Sequence, residues 1–333
     1  MTDAIDGPAI VALGGGHGLF ATLTAVRRLS PDITAVVTVA DDGGSSGRIR
    51  AELGMIPPGD LRMALAALAD PAAATWTETV QHRFGGSGAL AGHSVGNLIL
   101  AGLTEVLGDP IAALDELRSL LGVRGRVLPM AATALVIEAD VSGLEADPRV
   151  NRSIRGQVAV ATTPGKVRRV RLIPADPAPC LPAIAAVQRA DAVLLGPGSW
   201  FTSVIPHVLV PELCDALRTT RARKVLVLNL VAELGETAGF SAERHLHVLA
   251  QHAPGFAVDD VIVDAASVRP GRERDDVARA AAALRARVTY ADVAVPGTNT
   301  HDPARLAGAL QDLIGTGELE NQNAGDMEKS AWR

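Results

Sequence analysis

Short apolar runs that stop at glycine clusters, with helical stretches between them, set the rhythm of this chain. Ile10–Leu13 is the first run and ends at Gly14-Gly15-Gly16, which reads as a buried strand and its turn. Leu19 to Leu29 has apolar residues at helical spacing, and Pro31 lies just past its end. Thr34–Ala40 is β-branched and apolar, predicting a second buried strand that stops at Asp41-Asp42-Gly43-Gly44. Strand, glycine turn, helix and strand within about 30 residues is the βαβ unit of a parallel sheet. From Asp60 to about Leu121 the pattern is helical, with segments at Leu61–Leu68, Val80–Phe84, Val95–Leu107 and Ile111–Leu121. Val127–Ala139, Gln157–Ala161 and Val167–Ile173 read as strands. The last two flank Thr163-Pro164-Gly165, which predicts a hairpin. The βα rhythm then resumes. Ala192–Leu195 ends at Gly196-Pro197-Gly198-Ser199, Val225–Leu228 at Asn229, and Val261–Val263 at Asp264. Val288–Tyr290 is one more candidate strand, and Arg305–Ile314 a closing helix.

The fold this predicts is α/β: a Rossmann-like, doubly wound, mainly parallel sheet with an inserted helical region and a β-hairpin excursion. It occupies one domain over residues 9–314, between a disordered start at 1–8 and a disordered polar tail at 315–333.

Composition narrows the function. The chain has 333 residues, 31 basic against 37 acidic, for a net charge of −6 and no basic block. Aromatics are only 3%. Both facts argue against wrapping nucleic acid or stacking its bases. Cys180 and Cys214 are too few for a disulfide framework, so a cytoplasmic location is expected. No apolar run approaches the ~20 residues of a membrane span, and the N-terminus lacks the basic region of a secretory signal.

In an open parallel sheet, ligands bind outside the carboxyl ends of the strands. Five predicted strand ends here suit an anionic, hydroxylated ligand: Gly14, Gly15, Gly16, His17 and Gly18; Asp41 and Asp42; Gly196, Gly198 and Ser199; Asn229; and Asp264. Glycines let backbone N–H groups approach phosphate oxygens, and the next helix N-terminus adds a favourable dipole. Carboxylates hold sugar hydroxyls or a divalent cation, so Asp41 and Asp42 are the expected magnesium ligands if a metal binds. Ser45, Ser46 and Arg48 follow in a flexible Gly/Ser stretch and suit phosphate oxygens. Asp60 reads as a helix N-cap that can also face the crevice, as can Arg62. His93 and Asn97 open an apolar helix; a ligand contact and a packed polar helix start are equally open there. Lys166, Arg168, Arg169 and Arg171 read as a solvated face, with Arg155 and Lys166 available to an acidic partner. His245, His247 and His252 complete no zinc set and read as surface residues. Gly16-x-Gly18 with Asp41 meets the dinucleotide fingerprint only loosely, so NAD is a minor alternative, and no Walker-type P-loop occurs.

Assembled in order, ALGGGHGL, VTVADDGGSSGRIR, PPGDLRMAL, GHSVGNLIL, RGQVAVATTPGKVRRVRL, LLGPGSWFTSVIPHVLV and LNLVAELGETAGF resemble the YvcK-type gluconeogenesis factors of the CofD-like superfamily, from about Ile10 to about Leu313. The alanine-rich, lysine-poor style resembles an actinobacterial member. The resemblance implies a nucleotide-sugar ligand such as UDP-N-acetylglucosamine, no required cofactor, and a regulatory role in cell shape and cell-wall precursor supply on gluconeogenic carbon. It places Gly14–Gly18, Asp41, Asp42, Gly196–Ser199 and Asn229 around that ligand, with Asp264 near the uracil. His17 stands where a threonine is frequent, and Thr300 where a basic residue often sits. CofD itself is a 2-phospho-L-lactate transferase. The competing reading is therefore a magnesium-dependent phosphotransferase with Asp41 and Asp42 catalytic. Expected partners are cell-wall synthesis proteins, a Ser/Thr kinase acting on Thr298, Thr300 or Ser330, and a second copy of the chain.

Overall fold

The computed structural model describes residues 7–315 apart from positions 148 and 234. The first six residues, Ser330 and nearly all of the expected tail lie outside them. In chain order the elements are β1 (Ile10–Gly14), α1 (Gly16–Val26), β2 (Ile33–Val37), α2 (Gly44–Leu53), α3 (Gly59–Leu68), α4 (Ala74–Gln81), α5 (Val95–Leu107), α6 (Pro110–Leu120) and β3 (Arg126–Pro129). An excursion follows: β4 (Val136–Ser142), β5 (Asn151–Arg155), α7 (Gln157–Ala161) and β6 (Lys166–Ile173). The chain then returns through α8 (Leu181–Arg189), β7 (Ala192–Leu195), a π-turn (Trp200–Val204), α9 (Pro206–Leu209), α10 (Pro211–Thr219), β8 (Arg223–Val227), α11 (Ala242–His252), β9 (Asp260–Asp264), α12 (Arg272–Ala283) and β10 (Arg287–Ala291). A last helix covers 303–315.

The main sheet has seven strands in the order β10-β9-β8-β7-β1-β2-β3, and every pairing is parallel. β1 is the pivot. The chain winds from it to β2 and β3 on one side, and to β7 through β10 on the other. β1, β7 and β9 are buried along their whole length, as strands covered by helices on both faces must be. That explains their unbroken apolar runs, and it puts the topological switch point between β1 and β7.

The excursion is a separate antiparallel sheet, β5-β4-β6. Here the structure departs from the sequence pattern. Val127–Ala139 is two strands in two sheets: β3 ends at Pro129, which has no N–H for the ladder, and β4 begins at Val136. Gln157–Ala161 is helix α7, so no hairpin joins it to β6; the partner of β6 is β4. The Gly/Ser stretch after Asp42 is the start of α2, with Ser45 and Ser46 buried. Val80–Phe84 is the last turn of α4 and an extended piece in which Arg83 bridges to Ser94. No helix among the described residues is long and apolar enough to cross a membrane.

Candidate functional site

The loop after β2 leads into the most distinctive pocket. α2 starts at Gly44 with no side-chain cap and no acidic residue in its first turn, so its amides face outward unneutralised. Ser45 is tied down behind them. Its Oγ accepts from the Ser94 N–H (3.3 Å) and the Asn97 amide (3.1 Å), which leaves its own hydrogen for His93 Nδ1 at 3.0 Å. Asn97 Oδ1 accepts from Arg62 Nε at 2.9 Å. Arg62 is only 4% exposed and forms no ion pair among the described residues, yet it lines a cavity of about 230 Å³ together with Asp41, Ser45, Ser46, Asp60 and Arg83. Burial and the neighbouring charge of Arg83 hold its guanidinium down to about 10. A buried arginine beside a second arginine at a helix start has the chemistry to hold an anion, with Asp41 and Asp60 lining the same pocket.

Asp60 forms the opposite wall. It lies in the first turn of α3, after Pro58 at the cap position, so it is not the expected N-cap. Its carboxylate accepts from Thr38 Oγ at 3.2 Å and from the Gly16 N–H. Burial, then the charge of Asp41, raise it to about 6. Asp42 faces elsewhere. Its Oδ1 accepts from the Val158 N–H at 3.0 Å and so caps α7, while Asp41 Oδ1 accepts from the Gly43 N–H at 2.9 Å. These bonds engage the two carboxylates with different partners. Among the described residues no three His, Cys, Asp or Glu side chains gather to hold a metal.

At the switch point the two glycine loops pack on each other. A Cβ at Gly18 would strike the Pro197 carbonyl, and one at Gly15 would meet Asp60 and Thr38. Gly14 abuts Leu19, whereas Gly16, at φ +54°, is open and His17 is exposed. Of these glycines, Gly18 serves contact between the two loops and Gly15 lies close against the Asp60 and Thr38 side chains. Thr22 Oγ donates to the Gly196 carbonyl at 2.9 Å. Asn229 clamps Gly198 through both ends of its amide, at 2.9 and 3.1 Å, and keeps a second N–H and a second lone pair. Ser199 Oγ donates to Glu233 at 2.8 Å. Behind it Glu236, buried against Glu233 and the Phe201 N–H, is pushed up to about 8 by desolvation and then by Glu233.

Asp264 holds the fold locally, accepting from the Ala266 and Val293 N–H groups at 3.1 Å each. Beside it, a groove of about 470 Å³ runs past Asn229, Val231, Phe240, His245, Ser267 and Val277. His245 is buried against Trp200 and Phe240, contrary to its surface reading. Arg48 is exposed and holds the Ala91 carbonyl at 2.7 Å; Thr298 and Thr300 are exposed.

Comparison with known proteins fits this geometry. Residues 10–294 match the family of 2-phospho-L-lactate transferase CofD. The chain belongs to this family. Its position within the CofD family is narrower still. It is 69% identical over 312 residues to the putative gluconeogenesis factor of Mycobacterium tuberculosis, covering 93% of this chain and 90% of that one. The gluconeogenesis factor of Bacillus subtilis is 39% identical over 261 residues, covering 78% and 80%. A crystal structure of a UPF0052 family member from Bacillus halodurans superimposes with a TM-score of 0.77 at 33% identity, over 92% of this chain and 99% of that one. This CofD-family chain is thus of the gluconeogenesis-factor type, with the α/β fold of that neighbour.

Sequence reading missed Arg83, Glu233 and Glu236. Arg83 lies in no glycine or acidic strand end, and only the packing of α4 on α5 brings it to α2. The glutamates stood in LNLVAELGETAGF, but nothing in the spacing shows that a carboxyl there is buried.

Proposed function

We propose that the chain is a receptor for a nucleotide-sugar of the UDP-N-acetylglucosamine type, and reports its level to the enzymes of cell-wall precursor supply during gluconeogenic growth. The observation that carries this is Arg62: buried, without an ion pair among the described residues, and lining a pocket it shares with Arg83 and the open start of α2. A diphosphate supplies the charge that these groups lack. The relatives named gluconeogenesis factor support the physiological side of the reading. The test is calorimetric titration with UDP-N-acetylglucosamine. Saturable binding, lost in Arg62→Gln, with the ligand recovered intact, is the expected result. A phosphotransferase is the second reading, because Asp41 and Asp60 face the two arginines across one small pocket. Turnover of the bound nucleotide, abolished by Asp60→Asn, would replace the receptor with that enzyme.

A further inference from the structure

The amino edge of the sheet, opposite the candidate site, holds a second cavity of about 460 Å³. Its charged wall is Arg27, Arg28 and Arg124 against one carboxylate, Asp70; Ile33 and Leu68 lie on its apolar side. Arg27 and Asp70 are already engaged. The two terminal nitrogens of Arg27 donate to the Ala67 and Ala69 carbonyls, each at 3.0 Å, and Asp70 Oδ1 accepts from the Ala72 N–H at 2.8 Å. Arg28 and Arg124 are exposed and form no ion pair among the described residues, and Arg28 reaches Asp302 only as the weakest influence on that carboxylate. The wall itself is fixed. The Asp70 N–H bonds the Leu121 carbonyl at 3.0 Å, and Gly122 turns at φ +59° beside Asp70. A chain of net charge −6 repels anions in general, so two free guanidiniums over an apolar floor are a local exception.

We propose that this cavity is a second anion site, for a small phosphorylated organic effector, and that its occupancy is felt at the first site. The route is two packed helices. α1 and α3 each run about 15 Å from one edge of the sheet to the other. At the near end they are joined by the Gly16 N–H on Asp60, next to Arg62. At the far end they are joined by Arg27 on the last carbonyls of α3. A ligand drawn onto Arg28 bears on the end of α1, and through that staple on α3.

The test uses the full chain with two probes, pyrophosphate and phenyl phosphate, followed by calorimetry and by hydrogen exchange over residues 27–33 and 120–126. Wild type is expected to bind pyrophosphate at two sites. Arg28→Gln with Arg124→Gln should remove one, and Arg62→Gln the other. Phenyl phosphate should bind wild type but not Arg28→Gln with Arg124→Gln, and should slow exchange in both segments. A single site that is lost with Arg62→Gln overturns the proposal. So does unchanged exchange in the wild-type chain, which guards against a variant that merely misfolds. If neither probe binds but UDP-N-acetylglucosamine does, this inference falls and the receptor reading stands; if the reverse holds, the receptor reading falls alone.

Discussion

Arg62 and Asp60 sit two positions apart on α3 and face the same pocket with opposite demands. Replacing Arg62 by glutamine keeps a donor for Asn97 but removes the charge. Loss of one charge-assisted hydrogen bond costs about 1.5–3 kcal/mol, so affinity for a diphosphate ligand should fall roughly tenfold or more in calorimetry. Asp60 sets a pH dependence. Below about 6 it is neutral and tolerates an anion beside it; above, its charge opposes one. Affinity for a ligand whose own charge is constant over the range should therefore weaken from pH 5 to pH 7, and Asp60→Asn should flatten that profile. Glu236 gives a second signature, in stability. Its carboxyl holds a proton more firmly folded than unfolded, because it is raised from 4.5 to about 8. The folded state is thus favoured below 4.5, and that advantage is lost as the pH rises through 8. Melting curves should show a decline from pH 5 to pH 8.5 that is shallower in Glu236→Gln.

Helix α7 shows how an element can be illegible in sequence and still be specified. Val158 and Val160 alternate with small residues as in a strand, and Thr163-Pro164-Gly165 looks like its turn. Five residues cannot hold a helix in isolation. What holds this one comes from far along the chain: the Asp42 carboxylate on the Val158 N–H, and Gly235 packed against the Ala161 carbonyl. The signal that Asp42 is a cap, not a ligand, lies 116 positions away. Loss of a helix cap costs about 1 kcal/mol. Asp42→Ala should accordingly speed amide exchange across 157–161 while leaving the amides of β1 and β7 protected. The central strands were legible because burial on both faces writes itself as an unbroken apolar run. The excursion was legible only in part: β6 shows as the strand Val167–Ile173, whereas Asn151–Arg155 carries only one apolar residue and gives no signal.

For the whole molecule, the glycines and polar residues read at the strand ends also carry packing. Gly18 lies against Pro197, Gly15 against Asp60 and Thr38, and Asn229 and Asp264 hold neighbouring loops. The residues that face open space, Arg62 and Arg83, come from the inserted helices, whose placement no local pattern encodes. Ligand binding should register across the fold: at 100 times its Kd a ligand adds about 2.7 kcal/mol of stability, seen as a raised melting temperature, and a tenfold weakening in Arg62→Gln should cut that gain to about 1.4 kcal/mol. The pairing of the two glycine loops also has a consequence in time. Thr22 and its acceptor Gly196 are 174 positions apart, and Gly18 rests on Pro197. During synthesis at about 5–20 residues per second, the first loop waits roughly 10–35 s for the second to be made. A nascent chain therefore carries half a switch point for most of its translation, and a ligand whose site needs both loops cannot guide the folding of the first half.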